Sequence, residues 1–363
     1  MSFYLPAFIK PDFTKKMFQD APQVDTEKVV KDGVAPEQFH STSMYPEFFK
    51  FGDEWILAED SRMDCTVVRR DNGRLDVVEP RLLKVGDEVI LGRSEDCDDG
   101  IYLDDDPFAA SDDDNDDKFS FRQGRSRETA YSRDYDRLYE LLKYEKDNGR
   151  IVWVMGPAVA FDKDSRSAMQ KLIENGYVHG LLAGNALATH DLEAGFFRTA
   201  LGQDIYSQKS MPNGHYNHLD VLNKVRRAGS IAEFLRETGI QDGIMYGCTK
   251  HDVPYVLAGS IRDDGPLPEV TANVYESQNK MRDILRNATT VICVATQLHT
   301  IASGNMTPCF RVVNGVARPV FIYCVDISEF VVNKLKDRGS LSATSIVTNV
   351  QDFLVNVCKG VVS

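Results

Sequence analysis

Between Leu257 and Pro268 an apolar run breaks into Gly259-Ser260-Ile261-Arg262-Asp263-Asp264-Gly265-Pro266. Two adjacent carboxylates beside a guanidinium suit proton transfer on a polar substrate. Ligands of open α/β sheets sit just beyond the carboxyl ends of the strands, where this pattern predicts the pair to lie. Asp263 and Asp264 are candidate ligand-facing acids; the competing reading is a turn with an aspartate cap. Two more strand ends are marked by Ala183-Gly184-Asn185-Ala186 and by Ala295-Thr296-Gln297-Leu298-His299. Glycine there lets a ligand approach the backbone, and a following helix offers unpaired N–H groups to a phosphate. Phe321–Val325 runs into Asp326-Ile327, an acid at the position that takes ribose hydroxyls in dinucleotide sites, or that caps a helix. No Gly-x-Gly-x-x-Gly fingerprint follows any strand. Gly214-His215-Tyr216-Asn217-His218 places two histidines three apart. A metal site would need a third ligand, none stands nearby, and hydrogen bonding or loop packing is the reading; no metal is expected.

The elements that must position these groups fall into two parts. In the first third, Glu54–Leu57, Cys65–Val68 and Leu75–Val78 are short strand candidates, with Asp71-Asn72-Gly73 as a hairpin turn. Val85–Gly92 has the Gly-Asp turn and apolar strand of a small β-barrel. An acidic tract from Glu95 to Asp117 reads as a solvated loop or linker, because its like charges repel. From about Arg150 the rhythm changes. Ile151–Met155 is a continuous apolar run, and Met169, Leu172 and Ile173 recur at helical spacing before Asn175-Gly176. Tyr177–Gly184, Tyr255–Ile261, Thr290–Ala295 and Val320–Val325 are further strands, with a helix carrying Met281, Ile284 and Leu285. Strands alternating with helices predict an α/β fold with a parallel sheet covered on both faces. The division expected is a small β-rich domain over 1–120, with the acidic linker at its end, and an α/β domain over 121–363.

The chain has 363 residues and a net charge of −13. So acidic a protein is a poor partner for nucleic acid or an anionic membrane surface, which require clustered Lys and Arg. No apolar run approaches the length of a membrane span. The N-terminal Met1-Ser2-Phe3-Tyr4-Leu5-Pro6 has no basic n-region leading into an apolar segment. Its seven cysteines form no Cys-x-x-Cys pair, which predicts a reduced, cytoplasmic protein.

Taken in order, Leu181–Asp191, Gly214–Leu219, Leu257–Pro268, Ala295–Met306, Cys324–Ile327, Lys334–Ser340 and Ile346–Val350 resemble the archaeal-type, NAD-dependent ornithine cyclodeaminases. These are also described as proteins with the lysine-oxoglutarate reductase/saccharopine dehydrogenase conserved domain. Gly33–Thr42 and Arg62-Met63-Asp64 look like that family's preceding domain.

The resemblance implies a Rossmann-like NAD domain akin to that of deoxyhypusine synthase, behind the small β-rich domain. It implies an amino-acid metabolic lyase with tightly held NAD, and a homo-oligomer. The α-carbon of L-ornithine would give up a hydride to form an imine, the δ-amine would close on that carbon, ammonia would leave, and the hydride would return to yield L-proline. Asp264 and Asp263 then act at the nicotinamide end. Asn185, Ala186, Asp264, Thr296, Gln297, Leu298, His299, Asp326 and Ile327 match positions assigned to NAD. Arg62 and Asp64 are assigned to the substrate, a guanidinium fork for a carboxylate and an acid for a distal amine, with His215 and Asn217 beside them. Two segments depart from the family pattern: Ala160-Phe161-Asp162-Lys163-Asp164 replaces a His-Thr-Gly stretch, and Ser43-Met44-Tyr45-Pro46 replaces Asn-His-Pro-like residues. Both are expected to line the substrate pocket, which keeps open another amino acid or a polyamine as substrate, or a non-enzymatic NAD-binding protein.

Overall fold

A computed structural model of the chain describes residues 3–108, 132–263, 265–328 and 343–362. Asp264, residues 109–117 of the acidic tract, the expected boundary at 120/121 and the segment Lys334–Ser340 lie outside the described residues.

After a short helix α1 (Lys16–Asp20), the N-terminal part contains β1 (Thr26–Lys28), β2 (Glu47–Phe51), β3 (Glu54–Leu57), β4 (Thr66–Arg69), β5 (Leu75–Val78), β6 (Glu88–Ile90) and β7 (Ile101–Leu103). They form two antiparallel sheets, ordered β1-β6-β4-β5 and β3-β2-β7. Phe49, Val67, Ile90 and Ile101 meet in one buried cluster drawn from both sheets. β7 lies inside the acidic tract and pairs with β2, so that stretch is a strand where a solvated linker was expected. Ile101 explains it: this residue is fully buried, and its packing outweighs the repulsion of the flanking aspartates. β2 also escapes a simple alternation, because Lys50 is buried and donates to the carbonyls of Phe18, Gln19 and Ala21 at the end of α1.

The rest of the chain runs through α2 (Ser132–Asn148), β8 (Ile151–Met155), α3 (Lys163–Glu174), β9 (Gly180–Gly184), α4 (Asn185–Phe197), the hairpin of β10 (Thr199–Ala200) and β11 (Gln203–Asp204), α5 (Asn217–Ala228), α6 (Ile231–Thr238), α7 (Ile244–Lys250) and β12 (Tyr255–Ala258). It continues through β13 (Val270–Thr271), α8 (Val274–Leu285), β14 (Thr290–Val294), α9 (Gln297–Met306), the hairpin of β15 (Phe310–Val313) and β16 (Val316–Pro319), β17 (Phe321–Asp326), β18 (Ala343–Val347) and a C-terminal helix, Val350–Val361. Seven strands form one parallel sheet in the order β13-β12-β9-β8-β14-β17-β18. β8 is the first of them in sequence. The chain steps outward on one side as far as β13, then crosses back to the other side of β8 with β14. This is the reversal of a doubly wound sheet, and its crevice opens between β8 and β14.

Period-two alternation sorts the side chains of β8 onto two faces. Ile151, Trp153 and Met155 pack with α3, α4, α7 and the C-terminal helix, while Val152 and Val154 face Met281 and Leu285 of α8. Trp153 is fully buried and donates its indole N–H to Tyr177 O at 3.0 Å. Tyr177 and Val178 are buried ahead of β9 rather than within it, since Tyr177 turns aside to donate its hydroxyl to Val361 O. Among the described residues no helix is long and apolar enough to cross a membrane.

A buried charge fixes the helices of the first face. Arg166 on α3 donates Nε to Asp191 Oδ1 at 2.7 Å and Nη1 to Asp242 Oδ2 at 2.9 Å. Asp191 also accepts the backbone N–H groups of Ile244 and Met245, the first turn of α7. Gly243 stands at φ 109°, and a Cβ there would lie 2.0 Å from Arg166 Nη2. Asp191→Ala would leave a guanidinium and two N–H groups buried without this acceptor. It should cost on the order of 3–5 kcal/mol of folding stability, read as a lowered urea midpoint; a change below about 1 kcal/mol would show that Asp242 alone suffices for Arg166.

Candidate active site

The crevice is set by how closely β8 and β14 approach at their carboxyl ends. Gly156 N donates to Val294 O at 2.8 Å. A Cβ at 156 would stand 1.9 Å from Ala295 O, so only glycine fits. Ala295 takes φ 58°, a left-handed conformation that costs a residue with a side chain about 1 kcal/mol or more. That bend turns the chain directly into α9. The N-cap residue Thr296 makes no side-chain cap, so the first-turn N–H groups of α9 face the crevice unmatched by a capping group. Gln297 and Leu298 are exposed there, Leu298 strongly so at 76%.

His299 reaches from α9 across the end of β8 to β9. Its Cε1 lies 3.3 Å from where a Cβ of Gly184 would be. Burial pushes the His299 imidazole below its ordinary pKa, toward the neutral form. α4 starts on the heels of β9: Gly184 is its N-cap and Asn185 its first residue. Asn185 is buried, and its Oδ1 accepts Leu267 N at 3.0 Å. This amide therefore ties the loop after β12 to the base of α4, with half-buried Ala186 beside it.

That loop differs from its expected form. β12 ends at Ala258 rather than Ile261, and Ile261 is fully exposed. Gly259 N still pairs with Thr271 O, but beyond it the half-buried Asp263 accepts Ser260 N through Oδ2 at 2.8 Å, closing a tight aspartate turn. On β17, Asp326 accepts Ser328 N at 3.0 Å, and Ile327 is exposed. The fold thus gathers Asn185, Ala186, Asp263, Thr296, Gln297, Leu298, His299, Asp326 and Ile327 along one sheet edge, across the ends of β12, β9, β14 and β17.

The substrate candidates of the N-terminal part are not brought there. Arg62 is buried and donates Nη2 to Glu79 Oε1 at 2.9 Å. Arg81 holds the other oxygen of Glu79 at 2.8 Å, and Arg282 joins the same carboxylate. Arg282 belongs to the last turn of α8. A helix following a parallel strand runs back down the sheet, so this turn lies about 12 Å along the axis from the crevice end of α8. Burial and the neighbouring Arg62 lower the Arg282 pKa to about 10. Asp64 is exposed, in a left-handed turn at φ 63°. Within one chain the Arg62 guanidinium is engaged by Glu79. Of the two divergent segments, Met44 is buried with Cys309, Phe310 and Ala317 and faces this core, not the crevice. Phe161, on the turn after β8, packs against Ala194, Ala200 and Ile205 and sets its ring edge-on to His190 at 5.3 Å. His215 is exposed and packs on Tyr216, while Asn217 Nδ2 donates to Thr199 Oγ1 at 2.8 Å. No group of three or more His, Cys, Asp or Glu able to hold a metal occurs among the described residues.

Residues 138–357 match the family described as arginine dihydrolase ArgZ-like, C-terminal, Rossmann fold. The ornithine cyclodeaminase of Methanocaldococcus jannaschii is 40% identical over 342 residues, covering 92% of this chain and 76% of that protein. The chain belongs to the ornithine cyclodeaminase family. A conserved LOR/SDH protein from Methanococcus maripaludis superposes with a TM-score of 0.83 at 34% identity, over 94% of this chain and 98% of that one. AgrE in ternary complex with ornithine and NAD+ superposes with a TM-score of 0.60 at 33% identity, over 94% of this chain and 46% of that chain. A curated AgrE, from Nostoc, is a bifunctional arginine dihydrolase/ornithine cyclodeaminase.

His299 and His179 make a family member of this geometry acid-sensitive. Burial lowers both imidazole pKa values, and His179 Nδ1 accepts Ile151 N at 2.9 Å. The unfolded chain therefore binds more protons than the native one once the pH drops below about 6.5. The stability due to the neutral rings is whole above that pH and drains away as the pH falls toward their lowered folded values. Urea midpoints should decline from pH 7.5 to pH 5.5, and His299→Gln should flatten the decline; an equally steep decline in that variant would exclude His299 as a cause.

Proposed function

We propose that this protein is an NAD-dependent ornithine cyclodeaminase that converts L-ornithine to L-proline and ammonia, working as a cytoplasmic homo-oligomer of two-domain subunits. The observation that carries this reading is the convergence of Asn185, Ala186, Thr296–His299 and Asp326 on the crevice between β8 and β14. The residues present fit a dinucleotide. Gly156 and Gly184 keep the strand ends bare, where larger side chains would project into the edge. The uncapped start of α9 suits a pyrophosphate, and Asp326 suits a ribose. Bound NAD supplies an electron acceptor that is restored within each turnover, so no net oxidation results.

The chain's own groups do the rest. Exposed Leu298 and Ile327 offer apolar surface to flat rings. His299, neutral by burial, donates or accepts a hydrogen bond without repelling a cationic ring. Asn185 holds the loop after β12 against α4 through Leu267, and we assign Asp264 to proton transfer at the amine that closes the ring. The second reading, the same chemistry on another amine, is favoured by the segment over 160–164, where Phe161 packs edge-on to His190 in place of the family pattern's small polar stretch.

Purified protein incubated with NAD and, separately, ornithine, lysine, diaminobutyrate or putrescine, with products followed by mass spectrometry, separates the readings. Proline and ammonia from ornithine without accumulated NADH is the expected result. Turnover of a different amine alone would keep the chemistry and move the substrate, and NADH building up with product would replace the lyase by a dehydrogenase. Asp264→Asn should lower kcat by roughly a hundredfold or more with NAD still bound; a near-normal rate would remove Asp264 from the reaction.

A further inference from the structure

One imidazole network next to the crevice has no part in the assignments above. His190 follows Ala186 by four residues on α4, so it faces the same way one turn further down. It is buried, and its Nδ1 lies 2.8 Å from Glu193 Oε2. Glu193 is fully buried and also accepts Thr199 Oγ1 at 2.8 Å, Gly202 N at 3.1 Å and Leu201 N at 3.2 Å. Donors meet both oxygens, so the carboxylate accepts from His190, whose Nδ1 carries the hydrogen and whose Nε2 is left as the bare acceptor. Across from His190 stands His218 of α5, ring centroids 6.1 Å apart. His218 Nδ1 is buried with no hydrogen-bond partner among the described residues. A buried polar atom without a partner points to something the site is built to receive. Phe161 closes the third side.

We infer that His190 and His218 form a proton-exchange pair for the amine substrate, with Glu193 as the residue that positions His190. This rests on the cyclodeaminase reading and deepens it. His190 Nε2 takes the proton that the α-ammonium must lose before its carbon is oxidised by the nicotinamide cofactor. His218 holds that proton and delivers it to the nitrogen that departs as ammonia once the second amine has closed the ring. The second ammonium gives up one proton before it attacks and another from the new ring nitrogen; one returns to that nitrogen after the hydride is restored and the other leaves with ammonia as ammonium. The pair passes only the α-ammonium's proton to the departing nitrogen, so it ends a turnover as it began. The groups facing His190 are Glu193 from its own helix, His218 from α5, the Thr199 hydroxyl from β10 and the uncharged Phe161 from the turn after β8.

The test measures kcat, KM and NAD affinity for His218→Gln, His190→Gln and Glu193→Gln with ornithine, across the pH range in which each is folded. Expected for His218→Gln is a kcat lower by roughly a hundredfold, NAD affinity within twofold of the parent, and loss of the limb of the kcat–pH profile that an imidazole produces. Glu193→Gln should lower kcat with little change in KM, because an amide offers His190 a donor where it needs an acceptor. His218 is half-buried, so its variant decides the matter even where His190→Gln fails to fold. An unchanged kcat and pH profile in His218→Gln would overturn the assignment. Parent protein that binds NAD and leaves ornithine untouched would overturn the functional reading itself, and this assignment with it.

Discussion

The contact between Gly156 and the β14 turn is the constraint on which the rest depends. One hydrogen bond, Gly156 N to Val294 O, brings two neighbouring strand ends together with no space for a Cβ between them. It forces Ala295 into a left-handed bend, and the bend aims α9 so that its open end and His299 lie over β8 and β9. A looser approach would leave α9 starting elsewhere, and the crevice would lose one wall. Strain at Ala295 is affordable because the two strands beneath it are buried on both faces, where packing fixes the backbone more firmly than one unfavourable dihedral can disturb.

That rigidity explains which parts of the molecule were legible in the sequence. Ile151–Met155 and Thr290–Val294 are apolar throughout because no face of them meets water, and such runs read as central parallel strands. The positions of the candidate residues at their ends were legible for the same reason: a polar residue directly after a buried strand has few places to go. β2 was not, since buried Glu47 and Lys50 break its pattern and are reconciled only by partners elsewhere in the fold. α4 was hidden differently. It is buried almost all round, so it has no amphipathic stripe, and the polar residues in it look like a loop until His190, Asp191 and Glu193 each find a partner on another element or turn.

The same logic accounts for Arg62. The ion pair of Arg62 has no trace in the sequence, because its partner Glu79 lies 17 residues away and the competing guanidinium of Arg282 lies on another element altogether. Long-range electrostatics of this kind has no local signature. The divergent pair of segments divides in the same way: Met44 fills a core shared with the β15–β16 hairpin, whereas Phe161 packs on α4 beside His190.

Glu79 has a wider meaning for how such a chain can change over time. Its carboxylate, from the N-terminal part, is shared by Arg62 and Arg81 of that part and by Arg282 of α8. A recombination that replaced the N-terminal part with one lacking an acid here would leave α8 with a buried cation and no counter-charge. The two parts are therefore matched in charge at this point, and the arginine on α8 depends for its counter-charge on a glutamate some two hundred residues earlier in the chain.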